Sequence, residues 1–129
     1  MTIKNILVVD DMPVERENIC TILNTSSYYV ETAVSGEDGL KKLETYQPDL
    51  IFMDIVMPNM DGFNACRQIT NNDKTKNIPV VFVSSKGQEA DKVWGQLQGA
   101  KGHIKKPYSS AEILQIIADI DQQMICENA

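Results

Sequence analysis

The sequence predicts a doubly wound α/β domain, in which a mostly parallel sheet carries helices on both faces. Five short strand-like runs, at residues 6–9, 28–33, 50–53, 80–83 and 102–105, alternate with five segments that have helical periodicity. Three of these runs are continuously apolar, as expected for strands that are buried on both faces. Regular alternation with short links favours parallel strands joined by crossover helices, so the fold class follows from the order of the elements.

The chain is the right size for one domain, and its composition excludes several classes of function. It has 129 residues, of which 43% are hydrophobic, so one compact domain over residues 1–129 with no output domain is expected. A net charge of −6 argues against nucleic-acid binding. The absence of a membrane-spanning run or signal peptide predicts a cytoplasmic protein with no membrane partner. The three cysteines (Cys20, Cys66 and Cys126) lack disulfide or metal spacing and are interpreted as reduced packing thiols.

Each helix is predicted from its first turn and from apolar residues at helical spacing. Pro13 suits the first turn of the first helix. Ser35 and Ser109 are each followed three residues later by an acidic residue, which predicts capping boxes, and Gly99 is expected to end the fourth helix. The apolar stripes consist of Ile19, Ile22 and Leu23; Leu40 and Leu43, which are expected to face inward; Phe63, Cys66 and Ile69; Ala90, Val93, Trp94 and Leu97; and Ile113, Ile116, Ile117, Ile120 and Met124.

Reactive side chains gather at the carboxyl ends of the predicted strands, where ligands bind in open α/β sheets. Two carboxylates about 4 Å apart repel each other by about 4 kcal/mol at an effective dielectric of 20, so a converging set needs a cation. Mg²⁺ prefers carboxylate, phosphate and water oxygens and fits this requirement. The side chains are Asp10 and Asp11 after the first strand, Asp54 after the third, Ser84 and Ser85 after the fourth, and Lys106 after the fifth.

This set of residue types indicates phosphoryl transfer to a carboxylate. Asp54 can attack phosphorus and form an aspartyl-phosphate. Catalysis of this step is mainly positioning and neutralisation of the phosphoryl oxygens. A magnesium ion on Asp11 and Asp54 would take one oxygen, the Lys106 ammonium a second, and the Ser84 hydroxyl a third.

The same residues resemble the receiver domain of two-component response regulators, the CheY-like family, over essentially the whole chain. The resemblance implies a (βα)5 flavodoxin-like sandwich with strand order 2-1-3-4-5, in one receiver domain. The motifs that carry it occur in the family's order and spacing; they are Asp10-Asp11, Asp54 with Met57-Pro58 and Gly62, Ser84, and Lys106-Pro107.

The resemblance also implies a role for each of these residues. Asp54 would be the phosphoacceptor, Lys106 the phosphate-binding lysine and Ser84 the switch hydroxyl. The peptide bond between Lys106 and Pro107 is expected to be cis. The implied ligands of Mg²⁺, or of Mn²⁺ in its place, are Asp10, Asp11, Asp54 and the backbone carbonyl of Val56.

A narrower resemblance lies in the fourth-helix segment, residues 84–100, which is similar to stand-alone regulators of the PilH type. Those regulators belong to chemosensory systems that control type IV pilus motility or phototaxis. The implied partners are a histidine kinase of the CheA type or a histidine phosphotransfer domain, and a downstream motility or relay protein. A monomer that signals by protein contact, and is not an enzyme, is expected.

Two residues are candidates for passing on the signal. The family usually has Tyr or Phe three residues before the conserved lysine, and this chain has His103. Our hypothesis is that His103 takes the switch role, against the alternative of a solvated surface imidazole. Trp94 is interpreted as a packing residue of the fourth helix, with a docking anchor as the alternative.

Two further residues could approach the path of the water that hydrolyses the phosphoryl group: Val56, two residues after Asp54, and Lys86, two residues after Ser84. An apolar Val56 cannot orient that water by hydrogen bonding, so we expect it to contribute little to phosphoryl loss.

Other functions remain as alternatives. A phosphate-sink receiver in a different relay, such as flagellar chemotaxis, would use the same residues. An aspartyl-phosphate phosphatase would also explain Asp54 and Lys106, but it needs a second acid two residues after its nucleophile and a cap over the substrate. A flavodoxin-like cofactor binder needs a hydroxyl- and glycine-rich phosphate loop, whereas the loop that begins with Asp10 and Asp11 is acidic.

Overall fold

The structure is a computed structural model that describes residues 2–85 and 88–127. Lys86 lies outside the described residues, and so does its predicted approach to the path of the hydrolytic water. The side chain of Cys126 also lies outside them. Five strands and five helices alternate along the chain: β1 Asn5–Val9, α1 Pro13–Thr25, β2 Tyr29–Ala33, α2 Gly36–Lys42, β3 Leu50–Met53, α3 Gly62–Thr70, β4 Val80–Ser84, α4 Glu89–Leu97, β5 Gly102–Lys105 and α5 Ser110–Glu127.

The strands form one sheet in the order β2-β1-β3-β4-β5, and every neighbouring pair is parallel. The predicted doubly wound α/β class and the 2-1-3-4-5 order are therefore confirmed. The register brings the strand ends together because Val9 pairs with Met53. Asp10 and Asp54, the next residue of each strand, thus begin the loops at the same edge of the sheet. In the half of the sheet formed by β4 and β5, Ser84 pairs with Lys105.

Two apolar cores lie on opposite faces of the sheet, because successive strand residues point to opposite sides. Leu7 and Val9 belong to the core under α2 and α3, while Ile6 and Val8 belong to the core under α1 and α5. All four side chains are at most 1% exposed. Full burial of one aliphatic side chain of this size stabilises the folded state by about 1.5–3 kcal/mol. The central strands, which are buried on both faces, therefore stabilise the sheet from which the loops extend.

The predicted helix starts are found with one difference. Pro13 occupies the first turn of α1. At α5, Ser109 Oγ accepts the Glu112 N–H and the Glu112 carboxylate accepts the Ser109 N–H, which completes a capping box. At α2 only half of the box forms: Ser35 Oγ accepts the N–H of Asp38, but the Asp38 carboxylate accepts the N–H of Val34.

Gly62 begins α3 at a point where the chain passes very close to the end of β3. Its N–H donates to the Ile55 carbonyl at 2.7 Å. A Cβ atom at this position would lie 2.2 Å from the carbonyl oxygen of Asp54. Asp61 caps the helix by accepting the N–H of Asn64. The glycine therefore sets the distance between α3 and the backbone of Asp54.

The buried thiol is a packing residue, as predicted. Cys66 is completely buried, and its Sγ donates to the carbonyl of Gln98 at 3.4 Å. Burial raises the pKa of the Cys66 thiol to about 12, so the sulfur stays protonated and unreactive at neutral pH.

The apolar stripe of α4 faces outward, whereas the apolar stripe of an amphipathic helix usually faces the core. Val93 and Trp94 are each 48% exposed and Leu97 is 70% exposed; Ala90 is exposed as well. α4 contacts the sheet through Gly95 instead. A Cβ atom added at this glycine would lie 3.0 Å from the ring of Phe82. Helical periodicity predicted an amphipathic helix, but a glycine that allows a close approach to the sheet decided which face is buried.

The outward face of α4 leads to a prediction about stability. We expect Leu97→Ala to change the free energy of unfolding by less than about 0.5 kcal/mol, as is usual for exposed positions. The same substitution at Leu23 in α1, which is completely buried, should cost about 2–5 kcal/mol. Urea denaturation of the two variants measures this difference. A loss of stability at Leu97 as large as the one at Leu23 would show that α4 buries its stripe.

Candidate functional site

Asp54 lies at the end of β3 and is 7% exposed. Its N–H donates to the Val9 carbonyl, which ties it to the neighbouring strand. Its Oδ1 atom accepts the Ile55 N–H at 2.7 Å, and its Oδ2 atom lies 3.5 Å from Lys106 Nζ. The carboxylate is therefore held in one orientation by the backbone and faces a cation.

Asp10 lies beside it at the end of β1 and is 2% exposed. Its Oδ1 atom accepts the Met12 N–H at 2.9 Å, and its Oδ2 atom accepts from Lys106 Nζ at 3.2 Å. Burial raises the pKa of the Asp10 carboxyl above its ordinary value, because the Met12 N–H and the Lys106 charge offset the lost hydration only in part. The nearby charge of Asp54 acts in the same direction as burial.

Lys106 brings three carboxylates together. Its Nζ atom lies 2.6 Å from Glu15 Oε2, 3.2 Å from Asp10 Oδ2 and 3.5 Å from Asp54 Oδ2. Burial alone would lower the pKa of Lys106, but the hydrogen bond to Glu15 and the charges of Asp54 and Asp10 outweigh it, and the pKa is raised. The ammonium group is therefore charged at neutral pH and can meet an anion. The Lys106-Pro107 peptide bond is cis, as expected.

Glu15 also belongs to this centre, although its position in the sequence does not indicate it. Single carboxylate oxygens of Asp10, Glu15 and Asp54 lie within 4.8 Å of one another and could hold a metal ion. The one feature of the sequence that bears on its position is Pro13, which starts α1 and so places Glu15 in the first helical turn. An acidic residue there is usually explained by the helix dipole alone, so its convergence on the strand ends was visible only in three dimensions.

Asp11 lies outside that group of three, but its environment fits a cation. Its Oδ1 atom is buried and has no hydrogen-bond partner in the part of the chain that the structure describes. An unpaired buried carboxylate oxygen is costly, and a hard divalent ion would satisfy it. The residues present therefore fit Mg²⁺. Val56, two residues after Asp54, has a side chain that is 54% exposed at the rim of the site.

The ends of β4 and β5 join the site through the backbone. Ser84 is completely buried at the end of β4, and its carbonyl accepts the Lys106 N–H at 2.9 Å. Ser85, which follows it, is exposed. The structure thus brings the backbone of Ser84 beside the lysine-bearing loop and leaves Ser85 at the surface.

His103 and Trp94 are connected through two phenylalanine rings. His103 pairs with Phe82 across the sheet, and their ring centroids are 6.3 Å apart. Phe82 contacts Phe63 edge-on at 5.3 Å, and Phe63 contacts Trp94 edge-on at 6.4 Å. His103 is half-buried, which disfavours the solvated imidazole. Trp94 is 48% exposed, so its ring packs against Phe63 and is also accessible at the surface.

The chain has a parallel five-stranded sheet, with acids after the first and third strands and a lysine after the fifth. This arrangement is that of a receiver domain. Residues 6–118 match the family described as the response regulator receiver domain. The chain belongs to the response regulator receiver domain family.

Relatives and solved structures agree with this assignment. Protein PilH of Pseudomonas aeruginosa is 42% identical over 87% of this chain and 93% of its own length. Protein PilG of the same organism is 38% identical over 87% of this chain and 83% of its own length. CheY of Borrelia burgdorferi, solved as a CheX–CheY–BeF₃–Mg²⁺ complex, has a TM-score of 0.86 and is 30% identical, covering 91% of this chain and 88% of that one. Within residues 2–85 and 88–127, no helix has the length and apolar character needed to span a bilayer.

The acidic centre leads to a prediction about metal binding. A ligand that binds only the folded state stabilises it by RT ln(1 + [L]/Kd), which is about 1.4 kcal/mol when the ligand is at ten times its Kd. We expect Mg²⁺ to raise the urea midpoint of the unmodified chain. Asp11→Asn should abolish this gain, while Asp73→Asn, at an exposed position far along the chain, should keep it. A gain that survives Asp11→Asn would exclude Asp11 as a ligand.

Proposed function

We propose that this chain is the phosphoacceptor of a chemosensory phosphorelay and takes a phosphoryl group on Asp54. The observation that supports this most directly is the buried Asp54 carboxylate with Lys106 Nζ 3.5 Å from its Oδ2 atom. The donor would be a histidine kinase of the CheA type or a histidine phosphotransfer domain. The product is a signalling state of the protein, so the domain acts as a receiver and not as a turnover enzyme.

In the transfer step an oxygen of Asp54 attacks phosphorus while the phosphorus–nitrogen bond of the donor phosphohistidine breaks. The imidazole leaves with the electron pair and takes up a proton. Because Oδ1 is already held by the Ile55 N–H, the carboxylate is oriented before the donor arrives. The Lys106 ammonium is charged and close enough to donate a hydrogen bond to a phosphoryl oxygen after transfer.

A magnesium ion would complete this site. Bound Mg²⁺ neutralises charge on the phosphoryl oxygens in such transfers. In this chain Asp10, Asp11, Asp54 and the Val56 carbonyl would hold it, with Mn²⁺ as an alternative ion. Three acids around one lysine leave an excess of negative charge, which supports the need for a further cation.

The response to phosphorylation would start at Ser84 and His103. The Ser84 hydroxyl is buried beside the lysine loop and would donate to a phosphoryl oxygen. His103 lies on the next strand against Phe82, so a movement at the end of β4 would change its packing. A contact made in only one conformation shifts the population toward that conformation.

The pathway is proposed from the relatives. Similarity to PilH and PilG supports a role in type IV pilus motility or phototaxis, in which a single receiver domain signals by protein contact with a motility or relay protein. Trp94, exposed on α4, would be an anchor of such a contact. A phosphate sink in another relay, such as flagellar chemotaxis, is the alternative, and the CheX–CheY complex is an example of a receiver in contact with a partner protein.

The proposed function is tested with a small phosphodonor. Incubation with acetyl phosphate and Mg²⁺ should add one phosphoryl group, seen by intact mass spectrometry. Asp54→Asn should lose the adduct because the nucleophile is gone. Asp73→Asn, whose side chain is 97% exposed, should keep it. An adduct that survives Asp54→Asn, or none on the unmodified chain, would reject the proposal.

The lifetime of the phosphoryl group gives a separate prediction at Val56. Because valine cannot hydrogen-bond the attacking water, Val56→Asn should speed phosphoryl loss several-fold by orienting it, and Val56→Ala, which adds no hydrogen-bonding group, is the matched control. The decay of the adduct after donor removal measures this rate. Equal rates for the asparagine variant and the unmodified chain would contradict a water path at Val56.

A further inference from the structure

The nearest partner of the Lys106 ammonium is Glu15 and not the phosphoacceptor. Nζ lies 2.6 Å from Glu15 Oε2, compared with 3.5 Å from Asp54 Oδ2. An ammonium group has three N–H donors, and the oxygens of Glu15, Asp10 and Asp54 surround it. Two of the donors are hydrogen-bonded to Glu15 and Asp10, so a phosphoryl oxygen on Asp54 has to share the ammonium group with two carboxylates. Its contact with the lysine becomes stronger if one of these two carboxylates gives way.

Glu15 is the partner that can give way at least cost. Its side chain is 43% exposed, whereas the side chains of Asp10 and Asp54 are 2% and 8% exposed. A carboxylate that moves into water recovers its hydration, while a buried one has nowhere to recover it. Glu15 also borders a surface cavity of about 370 Å³, which gives the side chain room to move; the other lining residues are Asn18, Lys106, Pro107 and Tyr108.

We propose that Glu15 is a positioning residue that holds the Lys106 ammonium in the unphosphorylated chain and is displaced when a phosphoryl group arrives on Asp54. The inference rests on the proposed function of Asp54. Glu15 thereby opposes phosphorylation in two ways: it occupies a donor of Lys106, and its negative charge repels the incoming phosphoryl group. The resting state is stabilised by the same ion pair that the product must break.

The competing explanation is that Glu15 is a metal ligand, since one of its oxygens lies within 4.8 Å of oxygens of Asp10 and Asp54. The distances favour the lysine as the partner of Glu15, because Nζ lies 2.6 Å from Glu15 but 3.2 Å from Asp10 and 3.5 Å from Asp54. The two explanations predict opposite signs. Removal of a ligand charge would weaken Mg²⁺ binding and slow phosphorylation, whereas removal of the Lys106 partner would speed it.

The experiment compares Glu15→Gln with Glu17→Gln, which removes the same charge from an exposed position two residues further along α1. With acetyl phosphate at saturating Mg²⁺, Glu15→Gln should be phosphorylated about two- to fivefold faster, the range that an ion pair of a partly exposed side chain can supply. Glu17→Gln should match the unmodified chain. An unchanged or lower rate in Glu15→Gln, or a weaker Mg²⁺ affinity, overturns the proposal.

A second measurement does not depend on phosphorylation. Ammonium protons held in a tight ion pair exchange slowly with water, so the Lys106 ammonium signal in NMR should exchange faster in Glu15→Gln and not in Glu17→Gln. Equal exchange rates of the Lys106 ammonium protons in all three proteins would show that Glu15 does not hold the lysine. If acetyl phosphate fails to modify even the unmodified chain, the proposed function fails, and the NMR result still decides whether Glu15 holds the lysine.

Discussion

The constraint on which this structure depends is the charge at one edge of the sheet. Asp10, Glu15 and Asp54 converge on a single ammonium group, that of Lys106. Carboxylates at such distances repel each other strongly wherever water is excluded, so the centre is stable only while a cation is shared among them. One of the three, Glu15, has a side chain that is 43% exposed, so it can leave the shared cation for water at a lower cost than the two buried aspartates.

The sheet makes this concentration of charge possible. Central strands buried on both faces supply enough apolar contact to hold loops whose own interactions are unfavourable. The pairing of Val9 with Met53 fixes the two aspartates that follow them, and the hydrogen bond from the Lys106 N–H to the Ser84 carbonyl fixes the lysine loop. Gly62 then lets α3 start against the Asp54 backbone. The apolar contacts that stabilise the fold and the charged groups that repel one another are thus separated between the middle and the edge of one sheet.

The sequence predicted the features that depend on order along the chain. Alternation of the elements gave the fold class, and the polar residues after the strands identified Asp54, Lys106 and Ser84 as neighbours. It could not predict features that depend on rotation of a helix about its axis. Glu15 turns toward the strand ends and Leu97 turns away from the core, because close contacts with other elements decide these rotations. The strand order itself came from resemblance, since alternation alone fits several orders.

The outward stripe of α4 also bears on how chains of this fold diverge. Val93, Trp94 and Leu97 are large apolar residues that contribute little to the core, whereas Gly95 on the same helix is confined by the ring of Phe82. The stability of the fold therefore constrains one face of α4, whereas the outward face is constrained by contacts made outside the domain, such as the one proposed for Trp94. A substitution on that outward face can therefore alter what the domain contacts without disturbing the acids and the lysine at the edge of the sheet.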